Sequence, residues 1–407
     1  MARKVETATE GASRTPSLRL GQCLELRILR LATGGDGVAK APDGRTVFVP
    51  LSAPDDFLEV QIVEVQRRFL RAEILKILSP GPARAQAPCS VFGVCGGCAW
   101  QHLEYPAQVE AKRTILADTL SRIGGVELDQ LPVVMPSPRG YGYRARARML
   151  AGAGESGFRA RRSHRLCATT ACPVLAPALE SALEDVRRLS AADPEPVEWE
   201  IASGSHGSAR CSRVGEKTAS PMVIQMEEDE IQISPGTFAQ ANALLWADLH
   251  RRVLEAAGRG QRALELYAGA GFFTLALARR FSDVTAIESA ACAIADLQQN
   301  LERAGLDRVE VISASVESIL RSRRFTRPDV VLLDPPRAGL AESALKAVAD
   351  LRSPKIVYLS CDPATLARDT ARLIERGYRV ASVEGFDLFP QTPHLEALVV
   401  LEPSLRT

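Results

Sequence analysis

Lys355–Gly377 reads KIVYLSCDPATLARDTARLIERG, an apolar run of strand length that passes through Ser-Cys-Asp-Pro into a segment of helical period. Ile356–Leu359 shows no polar alternation, which suits a strand covered on both faces. Asp362 and Pro363 form a helix start, because the carboxylate can accept from the first free amides and proline's fixed φ fits the first turn. Strand and helix alternate in the same way upstream. Arg262–Ala268 (RALELYA), Asp283–Ser289 (DVTAIES), Val309–Ser315 (VEVISAS) and Pro328–Pro336 (PDVVLLDPP) are strand-like, and helical segments such as Ala290–Gly305 (AACAIADLQQNLERAG) separate them. This alternation predicts a doubly wound parallel sheet over 231–407. Two last runs, Tyr378–Phe389 and Leu395–Pro403, have no helix between them and are expected to pair antiparallel at the end.

In such a sheet a ligand binds beyond the carboxyl ends of the strands, near the switch in strand order. The first strand leads into Glu265-Leu-Tyr-Ala-Gly269-Ala-Gly271, where two glycines allow close backbone approach. Phe272-Phe273-Thr274 follows where a dinucleotide fingerprint needs a third glycine, so NAD is disfavoured. Glu288 ends the second strand 19 residues after Gly269, the placement of a carboxylate that holds ribose hydroxyls. Together these features suggest S-adenosylmethionine. The fourth strand ends in Asp334-Pro335-Pro336-Arg337, a rigid acidic platform beside the reactive end of such a cofactor. Cys361 ends the fifth strand, just outside a helix N-terminus whose positive end lowers a thiol pKa. That position favours a nucleophile over an inert packing residue.

The chain of 407 residues is too long for one ordinary core. Lys plus Arg number 50 against 49 Asp plus Glu, so the distribution of charge is more informative than its total. No apolar run reaches the roughly 20 residues of a membrane span, and the N-terminus lacks the apolar stretch of a signal peptide. A cytoplasmic, monomeric protein with no membrane association is expected. Residues 1–16 are polar and expected to be disordered. Over 17–80, short runs of period two broken by Gly34-Gly35-Asp36-Gly37 and Pro42-Asp43-Gly44 predict an OB-like barrel of about five strands, a fold common in oligonucleotide binding. Residues 85–230 are expected to form a mixed α+β domain. Within it Arg144, Arg146 and Arg148 alternate with alanines, so a strand would set all three on one face, with Tyr141 and Tyr143 interleaved. A basic face with aromatics fits RNA phosphate contact and base stacking.

Nine cysteines in a reducing compartment point to metal binding or catalysis wherever they cluster. Cys89, Cys95 and Cys98, in CSVFGVCGGCAWQH, are close enough in sequence to share a metal site, and a fourth ligand must come from elsewhere. Cys23, Cys211 and Cys292 read as packing residues.

Taken together, SCDPATLARD, DLFPQTPHLEALVVL and PGTFAQANALL resemble the S-adenosylmethionine-dependent RNA uracil-C5 methyltransferases that form 5-methyluridine. The likeness runs over nearly the whole chain. It implies a class I methyltransferase domain of Rossmann-like fold at 231–407 and a TRAM domain, an RNA-binding OB-like module, at 17–80. It further implies Cys361 as nucleophile, Glu396 as general base, and Gln240, Tyr267, Glu288 and Asp334, with Gly269 and Gly271, around the cofactor. Cys172 matches the fourth ligand of the family's 4Fe-4S members. Cys167 is its neighbour and rival, and zinc is the alternative to the cluster. The substrate these members imply is 23S ribosomal RNA, with tRNA or a non-catalytic RNA-binding iron-sulfur protein as alternatives. Asp362 stands where the family often has asparagine, and Phe272 where a polar residue is common, which puts one cofactor contact in question.

Overall fold

The computed structural model describes residues 18–216 and 219–404, so the tail expected over 1–16 lies outside the described residues. The chain divides into two compact units at Arg84. No helix among the described residues is long and apolar enough to cross a membrane.

The first unit is built from β1 (Cys23–Arg27), β2 (Arg30–Leu31), β3 (Gly37–Lys40), β4 (Thr46–Val49), β5 (Phe57–Val65) and β6 (Phe69–Ser79). They pair in the order β1-β5-β6-β4-β3-β2, six strands rather than five because β2 is a separate two-residue strand. Leu58, Val60 and Ile62 on β5 and Leu70 and Ala72 on β6 alternate into a core with Ile28, Val47 and Val49. Three register shifts along β5 and β6 bend this pair, as extra residues in one strand do. Asp56 closes the unit. Its buried carboxylate accepts from Arg84 Nη2 at 2.5 Å, Ala53 N at 2.6 Å and Gly81 N at 2.8 Å. Burial alone would raise this carboxyl, and the three donors hold it below its ordinary value.

The second unit begins with α1 (Tyr105–Gly124) and β7 (Val133–Met135). An antiparallel sheet follows from β8 (Arg146–Gly152), β9 (Glu155–Arg159) and β10 (Leu166–Ala168), then α2 (Pro177–Leu189), β11 (Val197–Ser203) and β12 (Ala209–Arg213), paired as β10-β9-β8-β11-β12. Leu179, Leu183 and Val186 of α2 cover Ala147, Met149, Trp199 and Ile201 on its inner face. A hairpin of β13 (Met222–Met226) and β14 (Asp229–Ile233) leads to α3 (Trp246–Ala257).

From there come β15 (Gly260–Leu266), α4 (Thr274–Ala278), β16 (Phe281–Glu288), α5 (Ala291–Arg303), β17 (Val309–Ser313), α6 (Val316–Ser322), β18 (Val330–Leu333), α7 (Glu342–Asp350), β19 (Ile356–Ser360), α8 (Pro363–Glu375), β20 (Tyr378–Phe386) and β21 (Glu396–Pro403). The eight-stranded order is β17-β16-β15-β18-β19-β21-β20-β7. The strand order switches between β15 and β18, which opens the ligand crevice there. Alternate residues serve two cores: Val331, Leu333, Ile356, Tyr358 and Val399 face one layer, and Val330, Leu332, Val357, Leu359 and Leu398 the other. The last two strands do pair antiparallel. However, β21 lies inside the sheet, between β19 and β20, rather than at its end.

Residues 85–230 do not form one body. Strand β7 extends the large sheet by pairing with β20, and Leu116 and Leu120 of α1 pack with Leu366 and Ala367 of α8. The apolar stripe of α1 finds its cover on the C-terminal layer, so the antiparallel domain proper starts near Arg146.

Candidate active site

The switch point is lined as the sequence suggested. Tyr267 follows β15 with a φ of 65°, a strained conformation for a residue with a side chain, and its hydroxyl donates to Glu317 at 3.2 Å. Gly269 has a φ of 57°, and the space where its Cβ would stand is open. Gly271 is required for packing: a Cβ there would lie 2.7 Å from Leu297 Cδ1. Glu288 reaches back across the turn and accepts from Gly269 N at 3.0 Å, Ser289 N at 2.7 Å and Ala290 N at 2.8 Å. Below the turn, buried Glu265 accepts from Thr274 Oγ1 at 2.6 Å, and burial pushes its carboxyl up to about 8. Gln240 is 5% exposed, and its Oε1 has no hydrogen-bond partner. A buried acceptor left open costs free energy, so this oxygen marks a place for a ligand donor. Phe272 makes no such offer: its ring packs edge-on against Phe273 at 4.9 Å and His250 at 5.4 Å.

Cys361 follows β19, where Ser360 pairs with Ala397 in antiparallel register. One step further sets Cys361 opposite Glu396, on the face that carries Val357, Leu359 and Leu398. Asp334, at the end of β18, is half-buried and held up at about 7 by desolvation. Glu396 is 2% exposed, and burial, reinforced by the charge of Asp334 and opposed by Arg337, raises its carboxyl well above 4.5.

The thiol differs from expectation. Asp362 caps α8, accepting from Ala364 N at 3.0 Å and Thr365 N at 2.9 Å, which stabilises the helix by about 1 kcal/mol. That carboxylate takes the amides that were expected to favour a thiolate. Burial pushes Cys361 up to about 11, Glu396 and Asp334 act in the same direction, and Arg337 opposes them. Its surroundings therefore favour the thiol over the thiolate at neutral pH.

Two carboxyls with raised pKa values, half-buried Asp334 and buried Glu396, make stability fall with rising pH. At low pH folded and unfolded chains both hold these protons; above about 7 the native state must ionise Asp334 in a buried setting, whereas the unfolded chain does so near 3.8. Glu396→Gln is therefore expected to raise the melting temperature at pH 8, by ~2 °C or more, and to change it little at pH 5. Thermal melts at both pH values check this, and an equal shift at the two would refute it.

The arginine triplet is split. Arg148 is exposed, and Arg144 is half-buried. Arg146 is absorbed: Nη2 pairs with Glu200 at 2.5 Å, Nη1 donates to the Thr237 carbonyl at 2.6 Å, and Arg210 binds the other Glu200 oxygen at 2.9 Å. Breaking such a buried network costs about 3–5 kcal/mol. Tyr143 is fully buried, with its hydroxyl on the Pro390 carbonyl at 2.8 Å, so it is no stacking platform. A cavity of about 700 Å³ is lined by Arg144, Arg148, Arg159, Arg162, His164 and Arg337 together with Phe158, Phe389 and His394. Arg337 and His394 were not singled out from the sequence, although both lie within quoted motifs.

Cys95 and Cys172 line the same cavity. Burial pushes the thiols of Cys95, Cys98 and Cys172 up to about 11, and neighbouring cysteines, Cys89 among them, add to the rise in each case. The four are thus electrostatic neighbours, and Cys95 also senses Cys167, which is buried in β10. Among the described residues no three His, Cys, Asp or Glu side chains converge tightly enough to hold a single metal ion. Of the supposed packing cysteines, Cys211 is half-buried, but Cys23, on edge strand β1, and Cys292, in the first turn of α5, are exposed.

A Gly-x-Gly turn and an acidic strand end at the switch point, beside a thiol opposite a buried carboxyl, define a methyltransferase of the class I fold. Residues 220–404 match the tRNA (Uracil-5-)-methyltransferase family, and residues 18–75 match the TRAM domain. The chain is 34% identical to the 23S rRNA (uracil(1939)-C(5))-methyltransferase RlmD of Chromohalobacter salexigens, over 92% of this chain and 88% of that one. It is 32% identical to the protein of the same name from Pseudomonas fluorescens, over 97% of each. The crystal structure of Pyrococcus abyssi tRNA (uracil-54, C5)-methyltransferase in complex with S-adenosyl-L-homocysteine shares the fold with a TM-score of 0.75 at 26% identity, covering 93% of this chain and 100% of that one. The chain belongs to the S-adenosylmethionine-dependent RNA uracil-C5 methyltransferases that carry a TRAM domain.

Proposed function

We propose that the enzyme methylates C5 of a uridine in 23S ribosomal RNA through a covalent adduct between Cys361 and C6 of the base. The observation that carries this is the register of β19 against β21, which sets a thiol and a buried carboxyl opposite each other at the switch-point crevice. S-adenosylmethionine, when bound, supplies a methyl group on a positively charged sulfonium. Gln240 Oε1, Glu288 and Asp334 are the groups that would hold it, with Gly269 leaving room above the turn. Cys361 gives its proton to solvent water and adds its sulfur to C6, so the C5–C6 π pair moves toward C5 and O4; C5 can then form a bond to the methyl group, whose old bonding pair stays on the sulfur it leaves. Glu396 then accepts the C5 proton, the double bond re-forms, and the Cys361 sulfur leaves with its electron pair. RNA from cells with and without the gene tests the substrate: 5-methyluridine should disappear from one site of 23S rRNA, and loss from tRNA alone would move the activity there.

The cavity basic in Arg148 and Arg162 is the expected path of the RNA strand. Both are exposed, unlike Arg146. Arg148→Gln with Arg162→Gln should weaken binding and flatten its salt dependence, by about 0.7 in log–log slope for each single-strand phosphate that is no longer neutralised. An unchanged slope would assign them to solvent.

Cys89, Cys95, Cys98 and Cys172 are the residues that would hold a 4Fe-4S cluster. The support is that Cys95, Cys98 and Cys172 each feel Cys89 and at least one other of the set as charge neighbours, as thiols gathered around one cluster would. Anaerobically purified protein should be brown with about four irons per chain, and Cys98→Ser should bleach it; stoichiometric zinc without iron would overturn this.

A further inference from the structure

The segment between β20 and β21 delivers Glu396, and beside its own turn, in which Thr392 N and Oγ1 donate to the Phe389 carbonyl at 3.3 and 2.7 Å, it is held from outside. Gln391, five residues before Glu396, is 1% exposed and has a φ of 67°. All of its polar groups are engaged. Its carbonyl accepts from Ala99 N at 3.0 Å and Trp100 N at 2.9 Å. Its amide N donates to Gln108 Oε1 at 2.8 Å, its Oε1 accepts from Gln108 Nε2 at 2.8 Å, and its Nε2 donates to the Gly140 carbonyl at 3.1 Å. Gln108, fully buried on α1, also donates to the carbonyls of Trp100 and Leu103 at 3.2 and 2.9 Å. A left-handed residue sets the direction in which the chain leaves, and here that direction is the entry into β21. Ala99 directly follows Cys98, so the last turn of the cysteine loop and the segment ending at Glu396 share one hydrogen-bonded joint.

We infer that Gln391 is a positioning residue: together with Gln108 it locks the segment carrying Glu396 onto the Ala99–Trp100 end of the cysteine loop, so that order in that loop is a condition for correct placement of the base. The inference rests on Glu396 being the base that removes the C5 proton. It gives the cysteine loop a role in a reaction that transfers no electrons: it is the anchorage of the proton acceptor.

Gln391→Gly keeps the left-handed backbone and the accepting carbonyl but removes the side-chain bridge; Gln108→Leu cuts the same bridge from α1. Either variant is expected to lower turnover on the order of a hundredfold, with the KM for RNA little changed. Methylated RNA should remain joined to Cys361 in a band that survives denaturing electrophoresis, and the Ala99 and Trp100 amides should exchange hydrogen faster. A general loosening would slow thiol addition as well and leave no adduct. Glu396→Gln is run alongside. If it accumulates adduct while both variants lose activity without any, or if the variants turn over normally, the inference is overturned. If Glu396→Gln itself forms no adduct, the base assignment fails, and unchanged exchange at Ala99 and Trp100 would then remove the joint as well.

Discussion

Cys361→Ala is expected to bind RNA and S-adenosylmethionine normally and to form neither product nor adduct, with methylation reduced on the order of 10⁴-fold or more, as when a covalent nucleophile is lost. The size follows from the substrate: C5 of uracil is a weak nucleophile until a group has added at C6, and Cys361 is the thiol on which both Asp334 and Glu396 act. The alanine leaves Asp362 and its cap in place, so α8 should be undisturbed. Measured binding of both ligands separates this from unfolding. Substantial residual methylation, or an adduct mapped by mass spectrometry to another residue, would show that the sulfur has no covalent role.

Glu396→Gln should fail at a different point. The amide is isosteric with the carboxyl and fills the same buried place, so the fold is kept. It cannot accept the C5 proton, so methyl transfer proceeds once and the sulfur cannot leave. The expected result is one methylated RNA per protein, joined in a denaturation-resistant complex, with steady turnover lost on the order of 10³-fold. RNA with 5-fluorouridine at the target should trap the wild type in the same way. Multiple turnovers by Glu396→Gln would assign proton removal to another group.

The alternation of Arg262–Gly377 was legible because each strand is a continuous apolar run and each helix has a start signal, Asp362-Pro363 being the clearest. Local chemistry also located the Gly-x-Gly turn, Glu288 and Cys361, each at a strand end. What was not legible depends on distant partners. Arg146 reads as one of three equal arginines, and only Glu200, 54 residues away, makes it a buried ion. Lys112 and Asp387, 275 residues apart and both with fully buried side chains, form a 2.5 Å pair beneath the segment before Glu396, and neither has a local mark. The rise of the Cys361 thiol escaped for the same reason, because it is set first by the burial the fold imposes and then by the charges of Glu396 and Asp334.

The position of β21 bears on when the enzyme can exist during its own synthesis. A chain that has emerged only as far as β20 has β19 and β20 with facing backbone edges unpaired and a gap one strand wide between them. Such edges invite pairing with other chains. The strand that fills the gap is the one whose first residue is Glu396, so the event that seals the sheet is the event that brings in the proposed base. On the mechanism proposed above, a chain folded only that far would carry Cys361 without the group that releases a captured uridine, and chain completion would turn a trap for RNA into a catalyst.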